Sequence, residues 1–133
     1  MNIKIFIVAN KLEKFILEGL KEYEKRLSRY CKIQFQLFKN EDQLYKRIPN
    51  KSYVIKLTTD GNILSSEELS EKINTLGISG KSDIIMLINI SQIPVDETIT
   101  ISPMNMDVGI QTLLLFEQIY RAYRIIHNEP YHK

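Results

Sequence analysis

Only two histidines and one cysteine occur among the 133 residues, so few side chains can move a proton near neutral pH. One of them, His132, stands between Tyr131 and Lys133 at the end of EQIYRAYRIIHNEPYHK, residues 117–133. An imidazole there can take a proton from a weakly acidic group, and an ammonium can hold an anion. A phenol ring can stack on a base or pack the tail down, and a tail that only seals the structure is the competing reading. Arg121 and Arg124, one helical turn apart, precede it, and for them phosphate contact competes with an ion pair to Glu117. Cys31 has no second cysteine to pair with, and the residues for a zinc framework are missing, so no metal is expected and a structural thiol is the reading.

These groups need elements to position them. NIKIFIV (2–8) is apolar on both faces toward its end, as a strand covered on two sides must be. From Lys11 to Tyr30, Leu12, Phe15, Ile16, Leu20, Tyr23 and Leu27 recur at helical spacing. KIQFQLF alternates as a second strand, and EDQLYKRI fits a short helix stopped by Pro49. SYVIKL is a third strand, and TTDGN reads as a turn with Gly61 free to take positive φ. SSEELSEKINTLG carries a capping box, Ser65 with Glu68, and places Gly77 past the helix end. DIIMLIN is a buried parallel strand, SQIPVDET a loop, and ITIS a short fifth strand. A last helix runs from near Gly109 to about His127, with Ile110, Leu113, Leu114, Ile119, Ala122 and Ile126 expected on its buried side.

Strands alternating with helices predict an α/β fold with a mostly parallel sheet and helices on both faces. The chain, 1–133, reads as a single domain without linker or repeat. Ligands of such sheets bind beyond the carboxyl ends of the strands, which are LTTDGN, LINISQIP and ISPMNMD here. A hydrophobic content of 44% with 26% charged residues is ordinary for a globular protein, and no apolar run is long enough for a membrane span. A cytoplasmic protein is therefore expected, with no membrane partner. The net charge of +2 is too small to announce nucleic-acid binding by itself. Lys11, Lys14, Lys21, Lys25, Arg26, Arg29 and Lys32 do crowd the first third, interleaved with Glu13, Glu18, Glu22 and Glu24 as on a solvated helix face.

The tail LLLFEQIYRAYRIIHNEPYHK closely resembles the end of the RlmH family, SPOUT-class methyltransferases acting on N3 of a pseudouridine in large-subunit ribosomal RNA. YEKRLSRYCKI and VIKLTTDGNILSSEELSEKI support the match. The resemblance implies a trefoil-knotted fold, a homodimer, S-adenosylmethionine held in the knot, and a C-terminal tail that completes the active site. It assigns Tyr131, His132 and Lys133 to catalysis and Arg121 and Arg124 to RNA. Leu57, Thr58, Ile90, Ser102, Pro103, Met104, Asn105, Met106 and Asp107 fall in the cofactor segments.

Two of those segments depart from the family pattern. Asn89, Ile90 and Ile93 stand where a Gly-Gly-x-x-Gly loop is expected, and SQIPVDET is too short for the helix that should follow. In the second cofactor loop Asn105, Val108 and Thr112 replace a threonine, a histidine and an arginine. Three functions fit this pattern: methyl transfer with unusual loops, RNA or ribosome binding without transfer, and binding of a different small ligand.

Overall fold

A computed structural model describes residues 1–132. Five strands form one sheet: β1 (Asn2–Val8), β2 (Lys32–Phe38), β3 (Tyr53–Ile63), β4 (Asp83–Ile88) and β5 (Glu97–Thr100). Their order is β2-β1-β4-β3-β5, and every pairing is parallel. Four helices connect or follow them: α1 (Lys14–Leu27), α2 (Glu41–Tyr45), α3 (Ser66–Ile78) and α4 (Val108–Ile126). No helix of the described residues is long and apolar enough to cross a membrane.

A parallel sheet needs cover on both faces, and strand alternation here supplies two cores. Ile3, Ile5, Ile7, Ile55, Ile84, Met86 and Ile88 point to one face, where α1, α3 and α4 bury them. Phe6, Val54, Ile85 and Leu87 point to the other, beneath Leu44 of α2 and the loop after β4. That loop does a helix's work. Ile90 and Ile93 are 8% and 9% exposed and complete the second core, whereas the expected cofactor role needs Ile90 against a ligand. Their apolar side chains gain more by covering Phe6 and Leu87 than by facing solvent.

Local chemistry explains the path of this loop. Asn89 leaves β4 with φ of 65°, a conformation its short polar side chain tolerates, and its Nδ2 donates to the carbonyl of Val8 at 2.8 Å. The Glu41 carboxylate then accepts from the Ser91 N–H, the Ser91 hydroxyl and the Gln92 N–H at 2.8–2.9 Å. Asp96 closes the segment by accepting from the Val54 N–H at 2.7 Å.

Several expectations are corrected. The first helix begins at Lys14, and Phe15 is 59% exposed because Ile16 and Leu20 take the inward positions. TTDGN is not a free turn: it lies within β3, where Thr58 and Ile63 both face Thr100 across a register shift. Gly61 is needed there for close approach, since a Cβ would sit 2.9 Å from the Thr100 hydroxyl. The capping box of Ser65 and Glu68 forms as read, but Gly77 lies inside the helix and Gly80, at φ +84°, is the cap. Lys81 N–H to Leu76 O and Gly80 N–H to Gly77 O complete a Schellman motif. On α4 the buried stripe is Thr112, Leu115, Phe116, Ile119, Tyr120, Ala122 and Tyr123, whereas Ile110 is 39% exposed.

Two outcomes follow. Gly80→Ala should destabilise the fold by about 1 kcal/mol, because the left-handed conformation brings Cβ against the carbonyl; an unchanged denaturation midpoint would refute this. Hydrogen bonds from the loop, Gln92 first, hold the Glu41 carboxyl below its ordinary value. A depressed folded pKa means that the clamp contributes fully above the unfolded glutamate value, about 4.3, and is lost as pH falls through the lower folded one. The Ser91 and Gln92 amide resonances should shift in that acid window and stay still in Glu41→Gln.

Candidate active site

The carboxyl ends of β3 and β5 meet the loop 102–107 and the start of α4. Thr100, fully buried, organises this end: its hydroxyl pairs with Thr58 Oγ1 at 2.8 Å and accepts from the Gly61 N–H at 3.0 Å. Asp107 caps α4 by accepting from the N–H groups of Gly109 and Ile110, at 2.9 and 3.3 Å. Gln111 Nε2 reaches back to the carbonyl of Met106 at 2.7 Å, and Ser102 Oγ accepts from the Met104 N–H at 3.1 Å. Together these bonds shape the loop.

A cleft opens between them, lined by Leu57, Thr58, Ser102, Met104 and Met106 among the residues expected from sequence. Thr59 and Ile101, from the expected segments LTTDGN and ISPMNMD, join them, as do Gln111 and Leu114, which were not expected at the site. The spacing of Asp107, Gln111 and Leu114 along one helix face was the signal available for the last two. Pro103 and Asn105 lie exposed on the same loop, and the Asp107 side chain is engaged in its cap. Ile90 is on the opposite face of the sheet, in the second core.

Whether these residues suit S-adenosylmethionine is a question of chemistry and of space. In kind they do: Leu57, Ile101, Met104, Met106 and Leu114 offer an apolar slot, and Thr58, Ser102 and Gln111 offer polar groups. The cleft offers only about 20 Å³ to the centre of a water molecule, room for a water but not for the cofactor. Met104, 70% exposed between Pro103 and Asn105, lines its outer side.

The tail lies beside this cleft on the same side of α4. Asn128, at φ 53°, ends the helix in a second Schellman motif, with Glu129 N–H bonded to Arg124 O and Asn128 N–H to Ile125 O. The chain therefore turns back along α4. Tyr131 donates to Glu117 Oε2 at 2.8 Å, stands edge-on to Tyr120 at 4.9 Å, and receives the Arg121 guanidinium over its ring at 4.7 Å. Burial and then Glu117 push its phenol far above the ordinary value, so it packs the tail down and does not ionise.

His132 is held from two sides. Arg121 Nη1 lies 3.2 Å from its Nδ1, and Glu67 Oε1 contacts its Nε2. An arginine can only donate, so Nδ1 is the acceptor and Nε2 carries the proton that Glu67 accepts. The bond lowers the Glu67 carboxyl below its usual range, His132 being the largest cause. Lys133 lies outside the described residues.

Both arginines expected at RNA are committed within the chain. Arg121 pairs with Glu117 at 3.0 Å. Arg124 donates to Glu129 at 3.0 Å, to the Tyr30 hydroxyl at 3.3 Å and to the Pro130 carbonyl at 3.1 Å. Its position among Tyr30, Tyr120 and Glu129 makes it an anchor of the tail, paired with Glu129 where Glu117 was the expected partner. Among the described residues Lys11, Lys14, Lys21, Lys25 and Lys32 are exposed and make no ion pair.

Comparison with known proteins agrees with this architecture. Residues 1–132 match the family described as "Predicted SPOUT methyltransferase". A Thermoanaerobacter protein named ribosomal RNA large subunit methyltransferase H 1 is 50% identical over 133 residues, covering all of both chains. Ribosomal RNA large subunit methyltransferase H of Shouchella clausii is 38% identical over an alignment of 159 positions that also covers both chains fully. Its namesake from Alkaliphilus oremlandii is 37% identical on the same terms. The longer alignments mean that these two relatives carry residues that this chain lacks, while the Thermoanaerobacter protein matches it length for length. With a family match across nearly every residue and full-length relatives of this similarity, the chain belongs to the SPOUT methyltransferases, in the RlmH family.

Proposed function

We propose that this chain methylates N3 of a pseudouridine in large-subunit ribosomal RNA, with S-adenosylmethionine as donor and as a homodimer. The observation that carries the reading is the placement of the tail: Glu117 and Arg121, which hold Tyr131 and His132, follow Gln111 and Leu114 of the cleft along α4, one to two turns on, or roughly 5–10 Å along the axis. Transfer needs the target nitrogen within hydrogen-bond reach of the base and in line with the methyl group, and a gap of this size leaves room for the target base between them. Bound in the cleft, the cofactor would supply an electrophilic methyl group on a sulfonium. Leu57, Ile101, Met106 and Leu114 would hold its apolar parts, while Thr58, Ser102 and main-chain groups of 102–107 would orient it. Because the cleft is narrow, loading requires Pro103–Asn105 to move outward.

The imide N3–H of the target must lose its proton before the nitrogen can attack. His132 takes it, and Tyr131, Glu117 and Arg121 keep the imidazole in place. Phosphate contacts fall to the unpaired lysines of α1 and its flanks, because Arg121 and Arg124 are neutralised by their own carboxylates. The narrow cleft favours a second reading, RNA binding without transfer.

One assay separates them. Labelled methyl groups from S-adenosylmethionine should appear in ribosomes or large-subunit RNA that lack the modification, and calorimetry should give a micromolar dissociation constant for the cofactor. Retained RNA binding with no cofactor affinity up to millimolar ligand would overturn the enzyme in favour of the binder.

The dimer has its own support. Phe15, Met104 and Ile110 are 59%, 70% and 39% exposed, and the α1–α4 contact at Ile16 and Gly109 joins the helices that carry Phe15 and Ile110. Apolar side chains of that size exposed on two packed helices are normally covered, and a second copy is the simplest cover. Light scattering should return twice 15.6 kDa. The double variant Phe15→Glu with Ile110→Glu should return the monomer mass; a monomeric unaltered chain at micromolar concentration would refute the assembly.

A further inference from the structure

We propose that Glu67 is a positioning residue for His132, an assignment that rests on the proposed methyl transfer. Glu67 sits in the first turn of α3, next to Glu68 but outside the capping box that Glu68 forms with Ser65. Its side chain is 56% exposed, and the bonds around it run to the tail, 65 residues further along the chain. Ser66 Oγ donates to Gln118 at 2.6 Å and so fixes the start of α3 to α4, which sets where Glu67 can reach. On the other edge of the imidazole stands Arg121, itself held by Glu117. The ring is thus clamped between a carboxylate and a guanidinium.

The clamp decides which nitrogen can work. Nε2 carries hydrogen and donates to Glu67, so Nδ1 is the basic atom, and Arg121 occupies it in the absence of substrate. When the target imide arrives, its N3–H takes the place of the Arg121 donor, while Arg121 stays on Glu117. The N3–H bond breaks, an Nδ1–H bond forms, and N3 keeps the electron pair with which it would attack the methyl carbon, the carbon–sulfur bond of the sulfonium breaking with its pair left on sulfur. Glu67 remains a carboxylate throughout and stabilises the imidazolium through the Nε2–H bond, as an orienting carboxylate does for a general-base histidine. Sequence reading could not single out Glu67, because its neighbour Glu68 carries the recognisable motif.

The test uses full-length Glu67→Ala and Glu67→Gln in the methyl-transfer assay. Glu67→Ala should lower kcat by about tenfold or more while leaving the RNA KM and cofactor affinity unchanged. Glu67→Gln still accepts from Nε2–H, without charge, and should recover part of that loss. Melting temperatures of both should stay near that of the unaltered chain, since the side chain is exposed. Independently of activity, the Glu67 carboxyl followed by carbon-13 resonance should titrate below the ordinary glutamate range and return to it in His132→Ala. A kcat for Glu67→Ala equal to that of the unaltered chain overturns the proposal, and so does a Glu67 titration indifferent to His132. An unaltered chain that transfers no methyl group overturns the function itself, and shows it in a different arm of the experiment.

Discussion

Helix α4 packs between α1 and α3 with Leu115, Phe116, Ile119 and Ala122 fully buried, and both the cleft and the tail hang from it. Leu115, Phe116 and Ile119 each contribute about 1.5–3 kcal/mol on burial, so the helix is held far more firmly than the groups it presents. Its inner stripe also sets its rotation. With Phe116 against Phe35 and Leu113 seated over Gly19, the remaining face carries Gln111, Leu114, Glu117, Gln118 and Arg121 outward in a single line. The first two reach the cleft and the last three reach the tail and α3. A rotation of one residue would part them.

The second face of the sheet shows how a chain without a helix after β4 still folds. Parallel strands tolerate no bare face. Ile90 and Ile93 supply the missing cover, and Glu41 collects the N–H groups that a helix would have satisfied internally. The side chains that stand in place of glycines are thus explained by packing. They need not be an obstruction in a pocket, because they do not face the cleft formed at β3 and β5.

Charge is used locally. The tail holds Glu117, Arg121, Arg124 and Glu129 in pairs beneath Tyr30, Tyr120 and Tyr131, and the aromatic rings shield them from water. Pairs placed so are worth more than exposed ones, and they fix a segment that would otherwise fray. Arg121 and Arg124, which look like RNA contacts in the sequence, are ion-paired within the chain, and the lysines of α1 face outward.

Most of the scaffold was legible in the sequence. Alternating or continuous apolar runs marked the strands, helical spacing marked the long helices, and the Ser65–Glu68 spacing named a helix start, because these signals are local and act through the chain's own backbone. The tail motif and the second cofactor loop were legible as resemblance. Three things depended on folding: the rotation of α4, where every residue from Ile110 to Phe116 save Gln111 and Thr112 is apolar and periodicity cannot choose; the turn that proved to be strand, because Thr100 lies opposite it; and the company of His132. Its partner Glu67 is 65 residues away in a different helix, and only the packing of α3 on α4 brings a carboxylate to that imidazole.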